Sequence, residues 1–200
     1  MRATHYLTAL AAVIAMGAGA LIAQDKGGKG GGKGKGFTLP PMVKMTIAGF
    51  ADGGRIPAAN TCAAGQSVPS PAISWTPGPA GTQSYALILH DPDPVLAGSA
   101  TNDVLHWAIF DIPGTATGLP AHVANTAELP DGARQLNNIA RSPGFMGPCP
   151  PPPTVHHYII EAYALDTKLD VPATASRAEF MAAMKGHVRA KGTYTGTYKQ

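Results

Sequence analysis

Residues 84–112 read SYALILHDPDPVLAGSATNDVLHWAIFDI. Two runs of strand length, SYALILHD from Ser84 and VLHWAIFDI from Val104, flank a stretch punctuated by proline and glycine, and both are rich in β-branched and aromatic residues. They are too short and too β-rich for long helices. A period of two sets Tyr85, Leu87, Leu89 and Asp91 on one face of the first run, so a carboxylate stands where an apolar stripe ends. Pro92 and Pro94 then stop the strand, and Asp91-Pro92-Asp93-Pro94 presents two carboxylates on a rigid turn. Taken alone, those four residues signal only a turn. On the second run the same period groups His106, Ala108, Phe110 and Ile112.

Outward from this pair, VKMTIAGF from Val43 and HYIIEAYAL from His157 read as further strands, and the terminal GTYTGTYK alternates Tyr194, Gly196 and Tyr198 on one face as a returning strand. His156, Tyr158, Ile160 and Ala162 share a face, so this strand also begins with a polar group above an apolar stripe. SVPSPAISWTPGPAGTQ and the segment from Pro113 to Pro153 carry too much proline for continuous regular structure, and a long irregular segment of this kind covers a core or carries function. One helix is signalled near the C-terminus. Ser176 and Glu179 form a capping box, and Phe180, Met184 and Val188 give an apolar stripe that ends before Gly192 and covers a sheet. Met181 and Met184 read as core packing.

The 24 glycines and 19 prolines among 200 residues exclude an ordinary helical bundle, and there is neither a collagen period nor an internal repeat. The expectation is one loop-rich, mainly β domain. Lys and Arg number 15 against 12 Asp and Glu, but Arg2 and lysines 26, 29, 33 and 35 supply five of the cations. From Phe37 onward ten cations face eleven anions, a net charge of −1, which gives no electrostatic case for nucleic-acid binding.

Residues 1–23 read as a signal peptide, with Arg2 before an apolar run and cleavage after Ala20 or Ala23; the alternative is an uncleaved anchor. No second apolar stretch reaches that length, so the mature chain has no transmembrane segment and is expected in the periplasm or secreted. Residues 24–36, QDKGGKGGGKGKG, form a flexible Gly/Lys-rich linker, a solvated spacer or an attractor for an anionic surface. It is no phosphate-binding loop, because Gly36 follows Lys35. The domain occupies 37–200. In an oxidising compartment Cys62 and Cys149 are expected to pair, the alternative being two buried thiols. Neither has a second ligand at zinc-site spacing.

Three strand ends bearing Asp91, His106 and His156 can meet the proline loop GPCPPPP from Gly147 in one small polar pocket. The ordered set YALILHDPDP, VLHWAIFDIP, GPCPPPPTVHHY and YALD resembles the phosphatidylethanolamine-binding protein family, in its bacterial Raf-kinase-inhibitor-like branch. The resemblance covers nearly all of 44–198. It implies two packed antiparallel sheets, a C-terminal helix, peripheral short helices, and a surface pocket for phosphate-like anions or phosphorylated head groups. By the same resemblance Asp91 and His106 are pocket residues, His156 and Tyr158 are the second motif's His and Tyr, and Gly147, Pro148, Cys149 and Pro150 wall the pocket. Cys62 occupies a position that often reads Cys in exported members, consistent with pairing to Cys149. Departures are Pro94-Val95 where Ala-Pro is usual, His157 where Arg is common, and Val104 and Leu105 in place of bulkier aromatics.

The functional expectation is a non-enzymatic binding protein without metal or cofactor. His106, His156 and Tyr158 donate to an anionic oxygen while Asp91 orients or charges an imidazole. The competing expectation is a metal-assisted or acid/base hydrolase using Asp91, Asp93, His106 and His156, although no HExxH or G-x-S-x-G pattern occurs. A third is an interaction protein, since the resemblance implies kinase or protease inhibition in some members. Among the remaining charged residues, Asp111 and Glu161 are expected to pair with cations or face solvent, Arg134 and Arg141 to be solvated loop cations, the alternative being that they attract an anion, and His90, His122 and His187 to be structural.

Overall fold

A computed structural model describes residues 41–65 and 67–200. The expected leader at 1–23 and linker at 24–36 lie outside the described residues. Among the described residues eight strands form two antiparallel sheets. The larger sheet contains β3 (Ser84–Asp91), β4 (Val104–Pro113), β6 (Arg134–Gln135), β7 (Val155–Leu165) and β8 (Val188–Lys199), in the spatial order β6-β4-β3-β7-β8. The smaller contains β1 (Met45–Ile47), β2 (Ile73–Trp75) and β5 (Gly118–Leu119), in the order β1-β2-β5.

The central strand β3 is buried along its whole length, because both faces of the larger sheet are covered. On one face Tyr85, Leu87, Leu89, Trp107, Tyr158 and Ile160 pack with Ile47, Ile73, Trp75 and Leu119 of the smaller sheet. On the other, Ala86, Ile88, Ala108, Phe110 and Leu165 pack beneath α2 (Arg177–Met184) through Phe180 and Met184. Ser176 and Glu179 form the expected capping box. The helix stops at Met184, however, and Val188 opens β8 rather than extending the helical stripe. Gly186, at φ +88°, supplies the left-handed turn that ends helices.

Two further expectations change. The run VKMTIAGF pairs as a strand only over β1, because its preceding residues turn to the exposed edge of β8, where the Val43 amide donates to the Lys191 carbonyl. Ile56 and Thr197 extend this edge protection, with the Ile56 amide donating to the Thr197 carbonyl and the Thr197 amide donating to Gly54. Within SVPSPAISWTPGPAGTQ, residues Ile73–Trp75 form β2, paired with β1 as Met45↔Trp75 and Ile47↔Ile73. The segment from Pro113 to Pro153 is irregular apart from the two-residue strands β5 and β6. Two short 3-10 helices, Ala58–Asn60 and Cys62–Ala64, and α1 (Asp93–Leu96) are the peripheral helices.

Candidate functional site

The polar residues at the ends of β3, β4 and β7 meet because of a bulge. The β3–β4 register steps from Leu89↔Trp107 to His90↔Leu105, leaving His106 as the extra residue. Its ring consequently stands edge-on to Tyr158, with centroids 5.2 Å apart, while Ala108 and Phe110 face the helix side. A second register shift, at Asp111 with φ 56°, returns Ile112 to the core between the sheets. The expected common face of His106, Ala108, Phe110 and Ile112 therefore does not form. On β7 no bulge intervenes before Ala164, and Tyr158, Ile160 and Ala162 share the inter-sheet face that His156 begins.

Asp91, 3% exposed, uses both oxygens: Oδ1 accepts from the Asp93 amide at 2.9 Å and Oδ2 accepts from His156 Nδ1 at 2.6 Å. Asp93 Oδ2 accepts from the His157 amide at 2.5 Å and lies 3.1 Å from His157 Nδ1. His106 Nδ1 is 3.0 Å from the Met146 carbonyl. Since a carbonyl only accepts, that nitrogen carries the proton, and Nε2 of the neutral ring is an acceptor. Burial pushes the His106 pKa below the ordinary histidine value, against the Met146 carbonyl and the Asp91 charge, which pull it upward. The Tyr158 side chain is fully buried; its hydroxyl has no partner at full hydrogen-bond geometry, and the Cys149 backbone amide lies close enough to its oxygen to pull the phenol's pKa down. Burial, then the charges of Asp91 and Asp93, push this phenol upward, so it keeps its proton. The result is a buried donor with no acceptor.

The loop beside these groups is held at both ends. The Met146 amide donates to the His106 carbonyl at 2.9 Å, and the Cys62 amide donates to Pro148 at 3.0 Å. Cys62 and Cys149 form a disulfide, with Cα atoms 5.3 Å apart. Gly147, Pro148 and Pro150 are buried and Cys149 is exposed. A Cβ on Gly147 would come within 2.6 Å of the Val68 side chain, so the close approach requires glycine. Pro94 lies in α1, where its carbonyl accepts from the Ser99 and Ala100 amides; its part is to shape the turn. Leu89, Trp107, Phe145, Pro148 and Ile160 help to line a small apolar hollow between the sheets, which Asp91, His106, His156 and Tyr158 do not line.

Asp91, His156 and His90 bear on the charge of His106, and Asp91 and Asp93 on that of Tyr158. His90 is turned to the opposite face, where Nδ1 lies 2.8 Å from Asp103. Glu161 sits in the same cluster; burial raises its pKa, but proton donors on His90 and Lys191 more than offset this and hold it at about 2. Arg134 is no free loop cation: Nη2 donates to the Val171 carbonyl at 2.7 Å, and the guanidinium lies over Phe110. Asp111 accepts from the Leu169 amide at 2.8 Å. The Met146 carbonyl is the site partner that no side-chain pattern announces, because any residue supplies it.

Asp91, His106, His156 and Tyr158 are thus carried by the ends of β3, β4 and β7, beside a loop held by a disulfide. The family model described as phosphatidylethanolamine-binding protein matches residues 46–199, and the chain belongs to that family. A UPF0098 protein of Methanothermobacter thermautotrophicus is 41% identical over 158 residues, covering 79% of this chain and 99% of its own. The crystal structure of Escherichia coli YbcL, described as a member of the mammalian family, superposes with a TM-score of 0.67 at 29% identity, covering 79% of this chain and 98% of that one. A Mycobacterium tuberculosis relative whose name marks it as a candidate lipoprotein, LppC, is 32% identical over 204 residues, covering 90% of this chain and 94% of its own. Among the described residues no helix is long and apolar enough to cross a membrane.

Proposed function

We propose that the chain is an exported, non-enzymatic binding protein whose pocket takes phosphate-like anions or phosphorylated head groups. The observation that carries this reading is the Tyr158 hydroxyl, a fully buried donor left without an acceptor near the Asp91–His156 pair. Buried donors are ordinarily satisfied, and an anionic oxygen supplies what this one lacks. His156 keeps Nε2 for the ligand because Asp91 takes Nδ1. His106 contributes differently from the simple donor expected of it: its Nε2 accepts until the ring gains a second proton. Gly147, Pro148, Cys149 and Pro150 wall the ligand. The LppC name and the leader pattern support placement in the periplasm or outside the cell. A protein partner, kinase or protease, would enter by a phosphorylated or acidic group.

The pH dependence tests this. His106 is held neutral in the free protein by burial, so an anion that charges it raises its pKa and binds with proton uptake. Linkage then makes affinity high below the raised pKa of the complex and lost as pH rises through it. Affinity for sulfate, whose own charge is constant over this range, is expected to fall by about tenfold or more between pH 5.5 and 8.5, the equivalent of about one unit of pKa shift. Calorimetry at both values reads it directly. An unchanged affinity contradicts the histidine account.

A further inference from the structure

We infer that Arg55, stacked on Tyr198 beside His156, is a second binding point of the pocket and selects phosphorylated compounds that carry a carboxylate as well as their phosphate. The inference rests on the anion reading and names the class of ligand within it. Tyr198 stands directly across β7 and β8 from His156. Side chains paired in this way leave one face of a sheet about 5 Å apart. Here that face is the inter-sheet one, which Tyr158 and Tyr198 share. The end of β8 continues to the loop beside the pocket, where Gln200 Nε2 lies 2.9 Å from Cys62 Sγ and 3.1 Å from Cys149 Sγ. Backbone pairing delivers Arg55 to this corner. The Ile56 amide donates to Thr197 and the Thr197 amide to Gly54, each at 2.8 Å. Ile56 packs so closely on Gly196 that a Cβ there would come within 2.5 Å of its side chain. The Arg55 guanidinium then lies over the Tyr198 ring, 5.9 Å from its centroid.

This guanidinium is placed and uncommitted. Arg134, Arg177 and Arg189 each face a carboxylate. Arg55 is exposed, and among the described residues its side chain forms no hydrogen bond or ion pair. An aromatic face holds a cation through its quadrupole and leaves the N–H donors for another partner. The topology then sets a direction. Asp91, which takes His156 Nδ1, ends β3 on one side of β7, whereas Tyr198 and Arg55 lie on the β8 side. With its phosphate at His156 and Tyr158, a ligand's second anion is repelled by Asp91 and Asp93 and drawn toward Arg55. The planar guanidinium matches a carboxylate with two parallel N–H···O bonds, a geometry that a lysine's point charge does not reproduce.

The test compares O-phosphoserine with O-phosphoethanolamine by calorimetry on the full chain, with inorganic phosphate titrated alongside. Both compounds carry a phosphate and an ammonium group, and only the first carries a carboxylate. O-Phosphoserine is expected to bind about fivefold or more tightly than O-phosphoethanolamine. In Arg55→Gln the ratio is expected to fall to about one. In Arg55→Lys it takes an intermediate value, because the charge stays and the fork is lost. Circular dichroism confirms that both variants are folded. A purely structural role for Arg55 would weaken both compounds alike and leave their ratio where it was. Equal affinities in the unaltered chain, or a preference that survives Arg55→Gln, overturn the inference; phosphate binding in the same chain then leaves the anion reading in place. No binding of phosphate or of either compound overturns both.

Discussion

Replacing both cysteines, Cys62→Ser with Cys149→Ser, is expected to lower unfolding stability by about 2–5 kcal/mol. The bond spans 87 positions of sequence, and restricting an unfolded loop of that length corresponds to roughly 4–5 kcal/mol in the entropy model. The loss reaches the pocket, because the same bond fixes Cys149 beside Tyr158, next to Pro148, whose carbonyl accepts from Cys62. Urea unfolding of the variant and of the unaltered chain, with and without reductant, measures the effect. The variant and the reduced chain should move together. A change below about 1 kcal/mol would show that the loop is held by its packing instead.

Tyr158→Phe is expected to move stability and binding in opposite directions. An unsatisfied buried hydroxyl costs about 1–3 kcal/mol, so removing it leaves the free protein as stable or more stable by up to that amount. The ring stays, and with it the edge-on contact with His106 and the inter-sheet packing. Phosphate affinity, by contrast, should fall about tenfold or more with the loss of a donor to an anion, which is worth about 1.5–3 kcal/mol. Thermal melting and calorimetry on one preparation give both values. A destabilised variant with unchanged affinity would mean that the hydroxyl serves the fold.

Much of this architecture is legible locally. SYALILHD has the limits of β3, and both halves of the Ser176–Glu179 capping box form, because strand runs and caps depend on neighbours a few residues away. Gly186 was the local signal for the end of α2; the spacing of Val188 from Met184 fits a helix equally well, and only the left-handed turn decides. Ile73–Trp75 is too short to show a period and becomes a strand through pairing with β1. The site is legible as a set of residues and not as a geometry. Asp91, His156 and Tyr158 fall where alternation puts them, whereas His106 depends on a bulge created by the β3–β4 register, a non-local event. Its Met146 partner and the ion cluster around Glu161 come from residues distant in sequence and carry no motif.

The most direct test of the pocket is calorimetric titration of phosphate and O-phosphoethanolamine into the domain from Phe37, beside a His106→Ala, His156→Ala double variant that circular dichroism shows to be folded. Binding to the unaltered domain and none to the variant is the predicted result, since the variant loses the ring that Asp91 orients and the ring that the Met146 carbonyl orients. Absence of binding in both, or equal binding in both, contradicts an anion pocket built on these histidines.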